Sequence, residues 1–511
     1  MNEETQMTVV QTTGASSAKR NTTWSGLSWD KIEAHVLRLQ MRIAKAERES
    51  KKGKVSALQR LLTNSFYAKC LAVKRITSNA GHKTAGVDGI LWKTPKEKMQ
   101  AVYELRRRNY YPAPLRRIYI PKKSGKLRPL SIPTLKDRAM QALWYAALLP
   151  IAEQRADRNA YGFRPKRSAQ DAIEQCVLCL GKKHSATYVL EGDIKSCFDR
   201  ISHQWILKNI PMDKTILKKF LKAGFIENGK FYPTDIGACQ GGTISPTIAL
   251  MALSGLENKL ANAKAKYRKY KINMISYADD FVVTAASEAI LREKVIPTLT
   301  QALKEVGLEL SLEKTKITPI DKGFDFLGFN IRKYRGQKLL TMPSKANVKS
   351  FLKEIRQYIK LGTALPTHKL IHLLNKKIIG WTNYYKGAAS SQVFGKIDSE
   401  IFIALQRWSL KRHRCKGKKW ITNKYYRRVG GDNWRFYCME EDSKGKTKPL
   451  YLRHAAQTHI RRHVKIRAEA NPFDPRYKEY FEQRDKRTRY CIARPAGQQG
   501  NFCWVEDYSA L

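Results

Sequence analysis

The run Asn273-Met274-Ile275-Ser276-Tyr277-Ala278-Asp279-Asp280-Phe281-Val282-Val283-Thr284-Ala285 decides the reading of the chain. Both flanks are rich in β-formers. As two short strands they leave Ala278-Asp279 at a tight hairpin tip, where Asp is tolerated. Adjacent carboxylates there repel unless a cation lies between them, and a hard ion such as Mg²⁺ takes oxygen ligands. Taken alone, an Asp-Asp pair is more often a polar tip in solvent. The rest of the chain changes that balance.

Tyr188 to Ile194 is a strand candidate that delivers Asp193 at its end. An acid at the end of a largely apolar strand is costly to bury unless it is paired or coordinates a metal. If this strand and the Asp279-Asp280 hairpin share one antiparallel sheet, the three acids converge. Two Mg²⁺ ions held about 3.5–4 Å apart would then serve phosphoryl transfer. Asp199 lies close by in sequence, but a salt bridge with Arg200 or a nearby Lys suits it better than metal ligation.

Arg117 to Pro133 predicts a hairpin turning at Ser124-Gly125. It carries Lys122, Lys123, Lys126 and Arg128, which suit either a solvated basic turn or a basic finger closing on a triphosphate. The loop Ala238 to Pro246 contains Gln240-Gly241-Gly242, and glycine pairs let other backbone approach closely. Helices are expected from Ser28, over Val55 to Asn79, around Met140 to Leu149 and from a Ser168 cap with Asp171. Leu308 to Ile317 and Phe324 to Ile331 are expected as strands. After Leu340 the texture turns helical, over Lys345 to Leu361, Thr367 to Lys386 and Ile397 to Lys411.

The 511 residues contain 96 Lys and Arg against 44 acids, a formal net charge of +52. So large a charge is self-repulsive in a compact protein unless a polyanion neutralises it, and nucleic acid is the first candidate. No stretch of about 18 apolar residues and no signal peptide argues for a membrane. The scattered cysteines fit a reduced, intracellular setting.

Further blocks stand in order around these acids: Thr84-Ala85-Gly86-Val87-Asp88-Gly89, Tyr119-Ile120-Pro121-Lys122, Gly125-Lys126-Leu127-Arg128-Pro129-Leu130, Asp137-Arg138, Tyr161-Gly162-Phe163-Arg164, Phe198-Asp199, Ser245-Pro246, Glu313-Lys314-Thr315-Lys316 and Phe326-Leu327-Gly328-Phe329. The ordered set, over about residues 55 to 335, resembles a bacterial group II intron-encoded protein, a reverse transcriptase/maturase. Gly380-Trp381, Tyr384-Tyr385, Trp408, Lys411 and Arg412 extend the resemblance to the maturase thumb, called domain X.

That resemblance implies an α+β right-hand polymerase: fingers and a palm with an antiparallel sheet, then an α-helical thumb and a small basic C-terminal domain. The expected division is a disordered 1–25, an N-terminal helical extension over 26–90, fingers and palm over 91–338, a thumb over 344–440 and a basic DNA-binding region over 441–511. It also implies RNA-directed DNA polymerase activity with a maturase role, copying an intron RNA into DNA. Asp193, Asp279 and Asp280 match the catalytic acids and, with the Ile194 carbonyl, the shell for two Mg²⁺ ions. Lys122, Arg128, Phe198, Gln240 and Lys314 match dNTP contacts. Phe198 is the steric gate against a 2′-hydroxyl, and Lys314 or Lys316 protonates pyrophosphate. Phe326, Leu327, Gly328 and Phe329 match the primer grip. Cys239 departs from the usual Pro.

Lys376, Lys377, Lys411 and Arg412 are candidates for RNA backbone contact, whereas Trp381 suits helix-bundle packing better than base stacking. The implied partners are group II intron RNA, an RNA template with DNA primer or target DNA, and dNTPs, with no membrane. The implied setting is the bacterial cytoplasm near the nucleoid. The C-terminus lacks the paired Cys-x-x-Cys motifs of an HNH nuclease. Zinc on His459, His463, Cys491 and Cys503 is disfavoured by their dispersal, since zinc sites draw on compact spacings. Cys176 and Cys179 lie on an apolar helix and suit packing. Two rival functions are a splicing factor with a vestigial polymerase and a reverse transcriptase recruited to host defence or repair.

Overall fold

The computed structural model describes residues 23–121, 125, 127–265, 268–334, 338–441 and 445–491. The chain divides into two units, Met1–Ala156 with Ser196–Ala252 and Asn471–Leu511, and Asp157–Lys195 with Leu253–Ala470.

The first unit is built on the helix Leu135–Arg155, which buries residues around its whole circumference, including Met140, Leu143, Trp144, Leu148 and Ile151. Helices Trp29–Arg48, Lys52–Asn64 and Phe66–Ser78 pack against it. The first of these buries Ile32, Val36, Leu39 and Ile43, the stripe that helical spacing marks in the sequence. Ser28 stands at its N-cap without a side-chain bond. The helix expected over Val55 to Asn79 is instead two, because Ser65 takes extended backbone angles (φ −64°, ψ 131°). Pro150 lies inside the central helix and has no N–H for the carbonyl four residues earlier. That carbonyl, Ala146 O, accepts from Gln40 Nε2 at 2.8 Å, so a partly buried acceptor is satisfied from the neighbouring helix. A four-stranded sheet completes this unit, in the order Leu127–Ile132, Leu115–Pro121, Phe225–Glu227, Lys230–Tyr232.

The second unit holds an antiparallel sheet in the order Asn273–Tyr277, Asp280–Ala285, Tyr188–Gly192, Lys316–Pro319. Its strands read Val189, Leu190, Phe281, Val282 and Val283 as buried on both faces. Two expected strands need correction. Of Leu308 to Ile317, only the end joins the sheet; Ser311 O accepts from Lys314 N and Thr315 N, which turns the chain first. Phe324 to Ile331 folds on itself as the hairpin Phe324–Phe326 and Phe329–Lys333, with Leu339–Pro343 as a third strand.

Helices Lys345–Leu361, Thr367–Tyr385 and Ser391–Arg412 follow, at the places their periodicity marks. Strands Tyr426–Val429, Asp432–Glu441 and Thr447–Tyr451 then form one sheet, which lies across the division expected at Glu441. Residues 1–22 of the expected disordered N-terminus, and Lys122 and Cys503, lie outside the described residues. Trp24, also inside that expected tail, packs edge-on against Trp29 at 4.9 Å, because the two indoles exclude water from each other. No helix among the described residues is long and apolar enough to cross a membrane.

Candidate active site

Asp193 is delivered by a central strand. Tyr188–Gly192 pairs with Asp280–Ala285 on one side and Lys316–Pro319 on the other. The register ends with Gly192 opposite Phe281, so the next residues in line, Asp193 and Asp280, meet at the same end of the sheet. Gly192 is required there, since a Cβ would fall 2.2 Å from Phe281 Cζ. Beyond the sheet, Ser311 N donates to Asp193 O at 2.8 Å and Lys195 N to Glu309 O at 3.0 Å. These bonds flank Ile194, which bridges Leu310 and buries its side chain, and its own carbonyl takes no part in them.

The acid pair sits where the sequence places it. Tyr277 pairs with Asp280, and Ala278-Asp279 form a two-residue turn. Ala278 has φ 58°, a left-handed conformation that costs an L-residue about 1–2 kcal/mol. A second segment braces it. Tyr161 N donates to Ser276 O at 2.9 Å, and Ser276 N to Asn159 O at 3.0 Å. Asn159 is anchored in turn by Glu257, through its backbone N–H at 2.9 Å and its Nδ2 at 2.6 Å. The next residue, Gly162, lies so close that a Cβ would fall 2.1 Å from Ala278 N. This bracing role of Tyr161-Gly162 is invisible to spacing; the only sequence signal was a glycine inside a motif.

The electrostatics show that the acids feel one another. Part of Asp280 reaches solvent, but desolvation of its carboxyl by the surrounding protein, and then the charges of Asp279 and Asp193, push it up to about 6 against the opposing charge of Lys314. Lys314 Nζ donates to Asp193 Oδ2, and that bond, with the three carboxylates, holds its ammonium above the usual lysine range. Lys316 instead pairs in register with Glu191, two residues further into the sheet than Asp193. The structure thus brings Lys314, rather than Lys316, to the acids. Among the described residues no three His, Cys, Asp or Glu side chains form a ready-made ligand cage. The donor set nevertheless fits a hard divalent ion: all oxygen, with one carboxyl raised by burial and by two like charges, both of which a bound cation would offset.

In the first unit, three other predicted residues form one assembly. With its amide turned to satisfy both ends, Gln240 accepts from Arg128 at 2.6 and 2.9 Å and donates to Pro129 O at 2.7 Å. The Gln240 carbonyl accepts from Ser131 N at 2.9 Å, and Ala238 N donates to Phe198 O at 2.6 Å. Gly241, at φ 112°, brings this loop against Ser131 O, 2.7 Å from where a Cβ would stand. Cys239, the departure from Pro, directs its thiol at Ser131 O (3.3 Å), and burial pushes that thiol up to about 12.

Three family models match the chain: N-terminal domain of reverse transcriptase over residues 24–105, reverse transcriptase (RNA-dependent DNA polymerase) over 120–331, and group II intron, maturase-specific domain over 348–426. Protein YkfC of Escherichia coli (strain K12) is 36% identical over 326 residues, which cover 55% of this chain and 84% of that protein. Group II intron-encoded protein LtrA of Lactococcus lactis subsp. cremoris is 28% identical over 419 residues, 63% of this chain and 69% of LtrA. The chain belongs to the group II intron-encoded reverse transcriptases. Maturase-like protein 1 of Euglena gracilis is 24% identical over 374 residues, 70% of this chain and 76% of that protein.

This reverse transcriptase is an RNA-directed DNA polymerase with a maturase role, and its fold joins a palm to a maturase domain. Such enzymes use divalent metal ions, and the two domains imply binding of template and intron RNA. Within the second unit the maturase-specific segment also grips the Phe326–Phe329 hairpin. Leu327 (φ 48°) and Gly328 (φ 79°) form its tip. Tyr384 Oη donates to Leu327 O at 2.9 Å and Tyr385 Oη to Gly328 O at 3.1 Å. Phe329 packs on both rings, at 5.3 and 4.8 Å. A Cβ on Gly328 would lie 2.3 Å from Asn347 Nδ2. Gly328→Ala is therefore expected to cost about 1–3 kcal/mol of stability by overpacking and strain, read as a lower urea midpoint at unchanged m-value.

The maturase aromatics serve the bundle core, as expected for Trp381, which stacks on Phe351 at 4.8 Å. The RNA candidates separate. Lys376 and Lys411 are exposed. Lys377 is paired with Glu354 at 2.7 Å. Arg412 is turned inward, donating to Thr363 O and Leu365 O at 3.1 and 2.7 Å, because it satisfies the carbonyls after the helix Lys345–Leu361. His463, one of the dispersed residues weighed for zinc, is engaged elsewhere: its Nε2 bonds Asp171 Oδ1 at 2.9 Å, and Asp171 is wholly buried. Cys176 is buried in its helix, as its apolar neighbours predict.

Proposed function

We propose that Asp193, Asp279 and Asp280, with the Ile194 carbonyl, hold two Mg²⁺ ions for nucleotidyl transfer onto a DNA primer along an RNA template. The observation that carries this reading is the sheet register, which ends with Gly192 opposite Phe281 and so sets Asp193 and Asp280 at one end, with Lys314 Nζ donating to Asp193 Oδ2. Bound divalent ions would supply charge stabilisation to the attacking and leaving oxygens. The chain's own residues do the positioning. The hairpin and the Asp193 strand end fix three carboxylates against one another. Lys314 counterbalances Asp193 and is placed to give a proton to departing pyrophosphate. Arg128, held in orientation by Gln240, offers a bidentate fork to the triphosphate, with Lys122 as a further cation from the same basic segment. Phe198 excludes a 2′-hydroxyl by volume, and Phe326 to Phe329 grip the primer.

The domains are proposed as fingers and palm over 91–338 after a helical extension, a thumb from 344 and a basic DNA-binding end, with the boundary between the last two moved past the sheet that closes with Thr447–Tyr451. The maturase role is proposed to act on a group II intron RNA, which the protein stabilises and then copies at a DNA target, in the bacterial cytoplasm. Exposed Lys376 and Lys411 are the proposed backbone contacts, with Lys377 and Arg412 contributing charge from their internal pairings.

Two measurements test this. Phe198→Ala is expected to admit ribonucleotides in primer extension on an RNA template; unchanged sugar discrimination would remove the gate. RNA that co-purifies with the protein is expected to be enriched in one intron. A profile matching total cellular RNA would contradict the maturase role while leaving the polymerase untouched.

A further inference from the structure

The first unit contains a cavity of about 450 Å³ that the polymerase reading does not use. Five cationic side chains line it, Lys69, Arg106, Arg107, Arg108 and Lys219, together with the polar groups of Asn64 and Thr215. The acid at its edge, Asp213, is engaged. It takes Arg107 at 2.6 Å and caps the helix Lys214–Leu221 by accepting from Thr215 N and Ile216 N. Asp213 thus pairs with Arg107, and none of the described residues that line the cavity is itself an acid. Burial and the Arg106 charge both pull the Lys69 ammonium below the usual lysine range. Lys219 Nζ donates to Tyr110 O at 2.6 Å and stands 3.6 Å from the centre of the Tyr111 ring. That ring is 77% exposed, unusual for a side chain of its size.

Crowded like charges are unfavourable unless an anion joins them. Arginine forks match phosphate oxygens in pairs, and lysine adds a point charge. An exposed aromatic fixed beside such a cluster supplies what a base needs for stacking, and single-stranded RNA is bound by this pairing of cations and rings. A small free polyphosphate would use the cations but not the ring. We propose that this cavity is an RNA-binding site of its own, in which Lys69, Arg106, Arg108 and Lys219 take backbone phosphates of a single-stranded segment and Tyr111 stacks on one of its bases. The choice of RNA rests on the maturase reading; the cluster itself does not involve the acids.

The test uses the full chain and a short fluorescein-labelled single-stranded RNA, with binding followed by anisotropy over a range of salt. Lys69→Gln/Arg106→Gln/Arg108→Gln removes three charges and leaves Arg107 on Asp213. Each single-strand phosphate contact contributes about 0.7 to the slope of log K against log salt, so the slope should fall by about 2. Tyr111→Ala should weaken binding by about tenfold without changing the slope, and Tyr111→Phe should restore it. Unchanged slope and affinity in the triple variant, at an unchanged melting temperature, would overturn the proposal. So would inorganic tripolyphosphate that binds wild type but not the triple variant and fails to displace the RNA, since the cavity would then serve a small anion.

Discussion

Asp279→Ala is expected to abolish DNA synthesis on an RNA template while RNA binding survives. Altering a group that only orients a metal ligand costs about 10–100-fold, so removal of a ligand itself should cost more than about 100-fold. RNA affinity should persist because it comes from the basic surface rather than from these acids. The same substitution has a second expected effect, of opposite sign, on stability. Asp280 is raised from its ordinary 3.8 to about 6, partly by Asp279. A carboxyl raised in the folded state binds more protons folded than unfolded between those values. Stability therefore falls as pH rises through that window, and the cost is fully present at neutral pH. Without divalent ions at pH 7, Asp279→Ala should melt above wild type, a trade of stability for activity seen at other active sites. Retained polymerisation would remove the metal assignment; a lower melting temperature would contradict the charge clash.

The second large effect is expected at a residue with no chemistry of its own. Gly162→Ala puts a methyl group where Ala278 N stands 2.1 Å away. The obstacle is backbone on both sides, so no flexible side chain can give. Overpacking of this kind costs about 1–3 kcal/mol or more. The motion falls on the turn that carries Asp279, and displacement of a reacting group by about 1 Å can cost 10²-fold in rate. Gly162→Ala should thus lose about a hundredfold in kcat with little change in RNA binding. Gly53→Ala, where nothing lies within 4 Å of the added carbon, serves as the control and should keep full activity. Wild-type kcat in Gly162→Ala, with the protein folded, would show that the brace is dispensable.

Much of this site can be read in the sequence because its signals are local. A β-rich run with an Asp-Asp tip makes a hairpin, and an apolar strand ending in Asp193 belongs beside it. The sheet register then brings Asp193 and Asp280 to one edge. What the sequence does not show is set by contacts between distant segments. The brace at Gly162 depends on a left-handed Ala278, which no propensity for Ala predicts. Phe324 to Ile331 has the composition of one strand, and only Leu327-Gly328 at positive φ folds it into a hairpin held by Tyr384 and Tyr385. Arg412 looks like a surface cation until the carbonyls of Thr363 and Leu365 come within its reach. His463 looks like a loose ligand until Asp171, nearly three hundred residues earlier, meets it. Pro150 should break a helix but is accommodated, because Gln40 on another helix satisfies the stranded carbonyl.

Hydroxyl-radical cleavage from bound Fe²⁺ in place of Mg²⁺ tests the central claim most directly, since radicals cut the backbone only next to the ion. Cuts are expected at two places in one chain, around Asp193-Ile194 and around Ala278-Asp279-Asp280, and both should disappear together in Asp279→Ala. Cuts at one of these places without the other, or at neither, would contradict a shared metal site.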